Sequence, residues 1–163
     1  MKTFEPIDPQ MLDQNPHLVA SLPDDTDSSI TWHFLIIDNY LIIAQAYFNP
    51  LKQKWLHDQI ELPKRGLQWF LDTLRDRFFK TEAEGGLPKG QFSTSTLIDG
   101  EQLALQRAFN ADLNGGGGYA LVTVNRKKNG LPKEYTFTDA FLFDHGLMDV
   151  MDDIASRIRA GTL

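Results

Sequence analysis

Two stretches of the chain space their apolar residues identically. Leu67, Phe70, Leu71, Leu74 and Phe78 fall at i, i+3, i+4, i+7 and i+11, and Leu147, Val150, Met151, Ile154 and Ile158 repeat that spacing. Both stretches predict amphipathic helices with the same buried stripe. The match extends beyond the stripe: Gly66 falls on Gly146, Asp72 on Asp152 and Arg77 on Arg157, an offset of 80 residues. Pro63 marks a strand-to-helix junction, Gly85-Gly86 lies beyond the end of the first helix, and Gly161 is a plausible stop for the second.

A second repeat lies upstream. Gln45-Ala-Tyr-Phe-Asn49 aligns with Gln106-Arg-Ala-Phe-Asn110 at an offset of 61 residues, so Ile42 meets Leu103 and Ala44 meets Leu105. Asp38-Asn39 meets Asp99-Gly100, and both dipeptides are strong two-residue hairpin turns. The longer second copy has room for Asn114 with Gly115 to Gly118 and for a further hairpin through Asn129-Gly130. Copy one is expected to place strands near 30–37, 40–48 and 55–62 and a helix near 64–80. Copy two is expected to place strands near 91–98, 101–109, 119–127 and 134–143 and a helix near 145–160. The fold class is therefore α+β: two β-meander-plus-helix repeats (ββββα-like), with antiparallel sheets and one amphipathic helix each. Residues 30–163 form a single domain of two repeats, 30–80 and 91–160, preceded by an arm of residues 1–29.

The strand faces complicate this picture. On the second strand of copy one, Ile42, Ala44, Ala46 and Phe48 share a face, while Leu41, Ile43, Gln45 and Tyr47 share the other. A sheet with one wet face alternates more cleanly than this. A cover over the second face is expected, from the other repeat, another subunit or a stacked ligand, with the first two favoured. Arg107 falls on the supposed core face, so either it lies past the end of the helix or the register is off by one.

Composition narrows the classes. The chain has 163 residues, 42% hydrophobic and 23% charged, enough for one packed domain. It has no cysteine, which excludes a disulfide scaffold, a thiolate metal site and a cysteine nucleophile. No apolar run is long enough for a membrane helix, and Met1–Pro6 lacks the apolar core of a signal peptide, so a cytoplasmic location and no membrane partner are expected. The net charge of −6 argues against a simple basic nucleic-acid binder. Most of that imbalance sits in residues 1–29, where six carboxylates face one lysine and four prolines break up regular structure. An irregular arm is expected, with an edge strand near Lys2–Ile7. It is either a solvated tail or a segment that folds back over a basic surface and competes with a polyanion.

The double meander-plus-helix layout, with Ile60-Glu-Leu-Pro-Lys-Arg-Gly-Leu-Gln-Trp-Phe-Leu-Asp-Thr-Leu closing the first copy, resembles the Whirly-type superfamily of single-stranded DNA-binding transcriptional regulators or a bacterial branch of it. The strand, proline, amphipathic-helix ending also resembles purine-rich-element binding proteins and positive-cofactor coactivators. The resemblance covers roughly residues 30–160. It implies a sheet surface opposite the helices that holds single strands by stacking and backbone charge, and homo-oligomers with helices packed between subunits. The Lys-Gly-Lys-Ala-Ala-Leu motif of the plant members is absent; Lys89-Gly90-Gln91-Phe92 is a faint echo.

Single-strand binding needs aromatic platforms and cations along a groove. With the helices over the Ile42 and Leu103 faces, the open face of copy one would carry Gln45 and Tyr47, then Trp55, His57 and Gln59, with Lys52 and Lys54 in the intervening loop. Copy two would add Gln106, then Arg126, Lys127 and Lys128 at the next turn. The competing reading makes Tyr47 and Trp55 a cross-strand packing pair and the lysines a solvated turn. Gly115–Gly118 precedes a strand rather than a helix, so it reads as a flexible hairpin loop and not a phosphate cradle. His17, His33, His57 and His145 lack metal-ligand spacing, Asp149, Asp152 and Asp153 look like a solvated helix face, and no serine sits in a nucleophile elbow. No catalytic residue, metal or cofactor is assigned. The expected function is non-enzymatic, regulatory or protective binding of single-stranded DNA or RNA by a homo-oligomer, with the arm as a brake. The alternative is a protein-interaction or assembly module with the same fold.

Overall fold

The structure, a computed structural model, describes residues 1–163. Two four-stranded antiparallel sheets account for all the strands, each in sequential order. The first sheet comprises β1 (Leu18–Pro23), β2 (Thr31–Ile37), β3 (Tyr40–Asn49) and β4 (Lys54–Pro63). It leads into α1 (Gly66–Thr73), whose last turn widens into a single π turn over Leu74–Phe78. The second sheet comprises β5 (Ser93–Ile98), β6 (Glu101–Ala108), β7 (Gly118–Lys128) and β8 (Leu131–Thr138), followed by α2 (Asp139–Phe143) and α3 (Leu147–Arg159). This is an α+β architecture with a ββββα-like unit used twice. No helix is long and apolar enough to cross a membrane.

Tight turns set the registers. At Asp99-Gly100 and Asn129-Gly130 both residues have positive φ, as a two-residue hairpin with the sheet's own twist demands. Between Thr123 and Lys127 the ladder of β7 and β8 shifts, so the last part of β7 changes its facing.

Local differences from the sequence expectation have physical causes. The expected edge strand near Lys2–Ile7 does not form; the fourth strand of the first sheet is Leu18–Pro23, antiparallel to β2. Pro6 and Pro9 deny that stretch backbone donors, and side chains hold it instead. A short 3₁₀ helix, Pro9–Gln14, then starts on Asp8, whose side chain accepts from the Gln10 amide. The strand expected near 134–143 stops at Thr138, whose hydroxyl accepts from the Phe141 amide and caps α2.

The two repeats share one core rather than each closing its own. A single cluster of 23 buried residues joins Trp32, Phe34, Leu41, Ile43, Ile60 and Leu62 of the first sheet to Leu103, Leu105, Leu121, Tyr135 and Phe137 of the second, with all three helices contributing. Trp32 meets Tyr135 edge-on at 5.0 Å, and Phe70 of α1 reaches Phe137 of β8 at 6.2 Å. A Cβ on Gly66 would stand 2.6 Å from Leu103 Cδ1, so this glycine lets α1 approach the second sheet. Gly146 instead sits at φ 85° as the N-cap of α3. The two glycines align in sequence but perform different tasks.

The face assignment of copy one is reversed. Leu41 and Ile43 face the helices, and Ile42, Ala44 and Ala46 face the N-terminal arm. Both faces of β3 are apolar because both are covered. The cover on the second face is this chain's own Leu12, with Phe4 and Ile7 packed beside it. In copy two, Leu103 and Leu105 face the helices as expected.

Charged side chains link the two sheets at their shared border, two as ion pairs between the sheets and one, Arg126, through its contact with Tyr40. Glu101 and Arg126 form a buried bidentate pair, 2.9 Å at both contacts, and the guanidinium also lies over the rings of Phe4 and Tyr40. Lys133 donates to both oxygens of buried Glu61, and Lys128 donates to Asp58.

Candidate binding groove

The surface expected from the sequence to bind single strands is dispersed. Trp55, His57 and Gln59 share a face of β4 with Glu61, and that face is the one the arm covers. Gln59 Oε1 accepts from the Ile7 amide at 3.0 Å, and its Nε2 donates to the Glu5 carbonyl and to Glu61. His57 Nδ1 donates to the Ile7 carbonyl at 3.1 Å. Both backbone groups of Ile7 are thus held by β4 side chains. Burial lowers the pKa of His57 below its ordinary value, and Lys128 and Lys133 act in the same direction.

Tyr47 points to the opposite face, beside Leu56; the aromatic partner of Trp55 is Phe48, at 5.8 Å. Lys52 and Lys54 lie exposed at the β3–β4 hairpin. Gln106 is exposed on the outer face of the second sheet. Its neighbours there are Ala104, Ala120 and Val122, with no aromatic ring among them. Arg126 is committed to Glu101 and buried, and Lys128 is committed to Asp58. Lys127 is exposed at the hairpin end. Of the nine residues, Arg126 lies over the half-buried rings of Phe4 and Tyr40, and Trp55 stays 42% exposed at the hairpin that carries Lys52 and Lys54.

The structure gathers such chemistry elsewhere. A cleft of about 480 Å³ runs between the end of α1, the loop before β5 and the ends of β6 and β7. Arg77, Lys80, Lys89 and Arg107 supply its cations, and Phe78, Phe92, Phe109 and Tyr119 its rings. Phe92 and Phe109 meet edge-on at 4.9 Å and are 51% and 58% exposed. The aromatic belt continues past the cleft: Phe79 contacts Tyr119 at 6.1 Å and Phe143 at 5.5 Å.

Each wall has a local cause. The π turn lets the Phe79 amide reach back to the Leu74 carbonyl at 2.9 Å, which carries Arg77, Phe78 and Phe79 toward the second sheet. The Leu87 amide bonds the Arg77 carbonyl at 2.9 Å and pins the following loop to the helix end. Thr81 and Glu84 form a capping box, and Glu82 accepts from the Lys89 amide, which orders that loop further. The Arg107 amide bonds the Phe92 carbonyl at 2.8 Å, bringing Phe92 beside the end of β6.

Arg107 is the residue that fits no face in sequence. It lies at the sheet's end, past the apolar stripe, with its guanidinium over Tyr119 at 4.6 Å and bidentate to Asp139 at 2.7 and 2.9 Å. A Cβ on Gly117 would stand 2.2 Å from Arg107 Nη2, so the glycine run makes room for this pair. Lys80 is partnered by Asp76 at 3.4 Å. Arg77 and Lys89 have no carboxylate within bridging distance and remain available to an anion. No group of three or more histidine or acidic side chains is arranged to hold a metal ion. No family model matches the chain, and no curated protein matches it.

Sequence reasoning missed this groove because its walls come from four separated segments. One local signal was present: Arg75-Asp-Arg-Phe-Phe-Lys80 alternates cations with rings at a helix end.

Proposed function

We propose that the protein is a non-enzymatic binder of single-stranded nucleic acid, and that the groove of Arg77, Lys89, Phe92 and Phe109 is where the strand lies. The supporting observation is the coincidence of half-exposed rings with two unpaired cations in one cleft. Rings offer every base a stacking surface, and the cations meet the phosphates between them. The layout resemblance to Whirly-type regulators supports the same class of ligand, at a different surface from the sheet face that resemblance implies. Here the middle of that face in copy one is covered by the arm, with Trp55 and Phe48 left exposed at its end.

The test is fluorescence anisotropy of a labelled single-stranded oligonucleotide across a salt series. Stacking on one ring is worth about 1–3 kcal/mol, so Phe92→Ala should weaken binding roughly 5- to 150-fold. Arg77→Ala with Lys89→Ala should flatten the salt dependence. Trp55→Ala should leave affinity unchanged. Absence of binding at low salt defeats the proposal.

A second reading, a protein-docking groove, is favoured by the carboxylates beside Lys80 and Arg107, which lower the groove's net positive charge. An acidic peptide with aromatic side chains would then bind the groove and an oligonucleotide would not.

A further inference from the structure

We infer that β5 is a homodimerisation edge, pairing antiparallel with β5 of a second copy across a two-fold axis at Ser95. The inference stands on the backbone of the second sheet and does not depend on the groove's ligand.

β5 is the terminal strand of its sheet and pairs only with β6. Because the Arg107 amide bonds the Phe92 carbonyl, the inward-bonding residues of β5 are Thr94, Thr96 and Ile98. Ser93, Ser95 and Leu97 therefore direct their amides and carbonyls away from β6. Among those groups only the Ser93 carbonyl has a partner, the Gln91 side-chain amide. Leu97 is 70% exposed at the end of this row.

The other edges are guarded. β1 ends in Pro23 and is irregular between Leu18 and Ala20. β8 carries Pro132, with Lys133 and Glu134 beside it. β4 is crossed by the β7–β8 hairpin through Lys128–Asp58 and Lys133–Glu61. β5 has neither proline nor charge along Ser93–Ile98, the devices that normally keep an edge from pairing.

The sequence around β5 favours its own copy as occupant. An axis at Ser95 sets Ser95 opposite its counterpart and Ser93 opposite the partner's Leu97, so every outward amide and carbonyl finds a mate. Asp99, just past the strand, is held by Arg65 of its own chain and in this register lies opposite the partner's uncharged Gln91, so no like charges meet at either end. The uncharged strand brings no like charges into register. The product is one continuous eight-stranded sheet.

Sedimentation equilibrium of the full chain should give twice the monomer mass. Leu97→Lys, which introduces a charge at the pairing edge, should return it to monomer. Ser95→Pro should do the same, since the amide it removes points away from β6. A native circular dichroism spectrum and a cooperative thermal transition for the Leu97→Lys monomer show that folding was not lost. The chain has no cysteine, so Ser95→Cys introduces the sole thiol. Directly opposed residues of such a pair lie about 5.5 Å apart, within disulfide reach, and oxidised glutathione should cross-link this variant. Ser93→Cys, displaced about 13 Å along the pair from its own copy, should not cross-link. A monomer at the highest soluble concentration overturns the inference. So does a dimer that survives Leu97→Lys, or equal cross-linking from both cysteine variants.

Discussion

Leu12→Ala tests whether the N-terminal arm is part of the folded body. Leu12 is fully buried in the 3₁₀ helix Pro9–Gln14, against Leu35, Ile42, Ala44 and Ala46. Truncating a buried leucine costs about 2–5 kcal/mol, the spread reflecting how far the hole can collapse. Here the floor is a rigid sheet, but the lid is a short helix that can settle, which places the cost at about 2–3 kcal/mol. For a chain of this size each kcal/mol moves the midpoint by about 2–4 °C, so Tm should fall roughly 4–12 °C. Met11 is the control: it lies half-exposed on the same short helix, and Met11→Ala should change stability by less than about 0.5 kcal/mol. Urea unfolding followed by circular dichroism, with thermal melts alongside, measures both. Equal midpoints for the two variants, or an unchanged midpoint after removing residues 1–14, would show the arm to be a solvated tail.

Other perturbations separate the remaining contributions. Arg126→Met should cost about 3–5 kcal/mol because it strands Glu101 uncompensated in the interior, whereas Glu101→Met with Arg126→Leu should recover most of that loss in urea midpoints. His57 takes its proton less readily in the folded state than in the unfolded chain, so it contributes a loss of stability as pH falls below about 6.5, levelling off below its folded pKa. The His57→Gln variant should therefore lose less stability than wild type between pH 7.5 and 5.5; identical slopes would contradict this. Gly118→Ala should cost about 1–3 kcal/mol, since the added Cβ would stand 2.3 Å from the Phe137 carbonyl oxygen of the neighbouring strand.

The hairpins and helices were legible because their signals are local. Asp99-Gly100 and Asn129-Gly130 name their turns, and the stripes from Leu67 and Leu147 name their helices. Facing was less legible. Leu41, Ile42 and Ile43 are all fully buried, so alternation along β3 gives no direction, and a one-residue difference between copies reverses the assignment. β1 escaped notice because Leu18-Val-Ala-Ser-Leu-Pro23 lies in a proline-rich, acidic context that suggests irregular chain. The groove was the least legible. Phe92 reaches Phe109 only through the β5–β6 register, and Tyr119 reaches Phe79 only through the shared core. Arg107 did announce itself as a charge on an apolar stripe, and its partner Asp139 lies 32 residues away in sequence.

Amide hydrogen exchange with and without a saturating thymidine oligonucleotide tests the location of binding most directly. Added protection should appear at residues 77–92 and 107–109, with β4 and residues 4–12 unchanged. Protection centred on Trp55 and His57, release of the arm, or no change anywhere would contradict a single-strand site at the Phe92–Phe109 cleft.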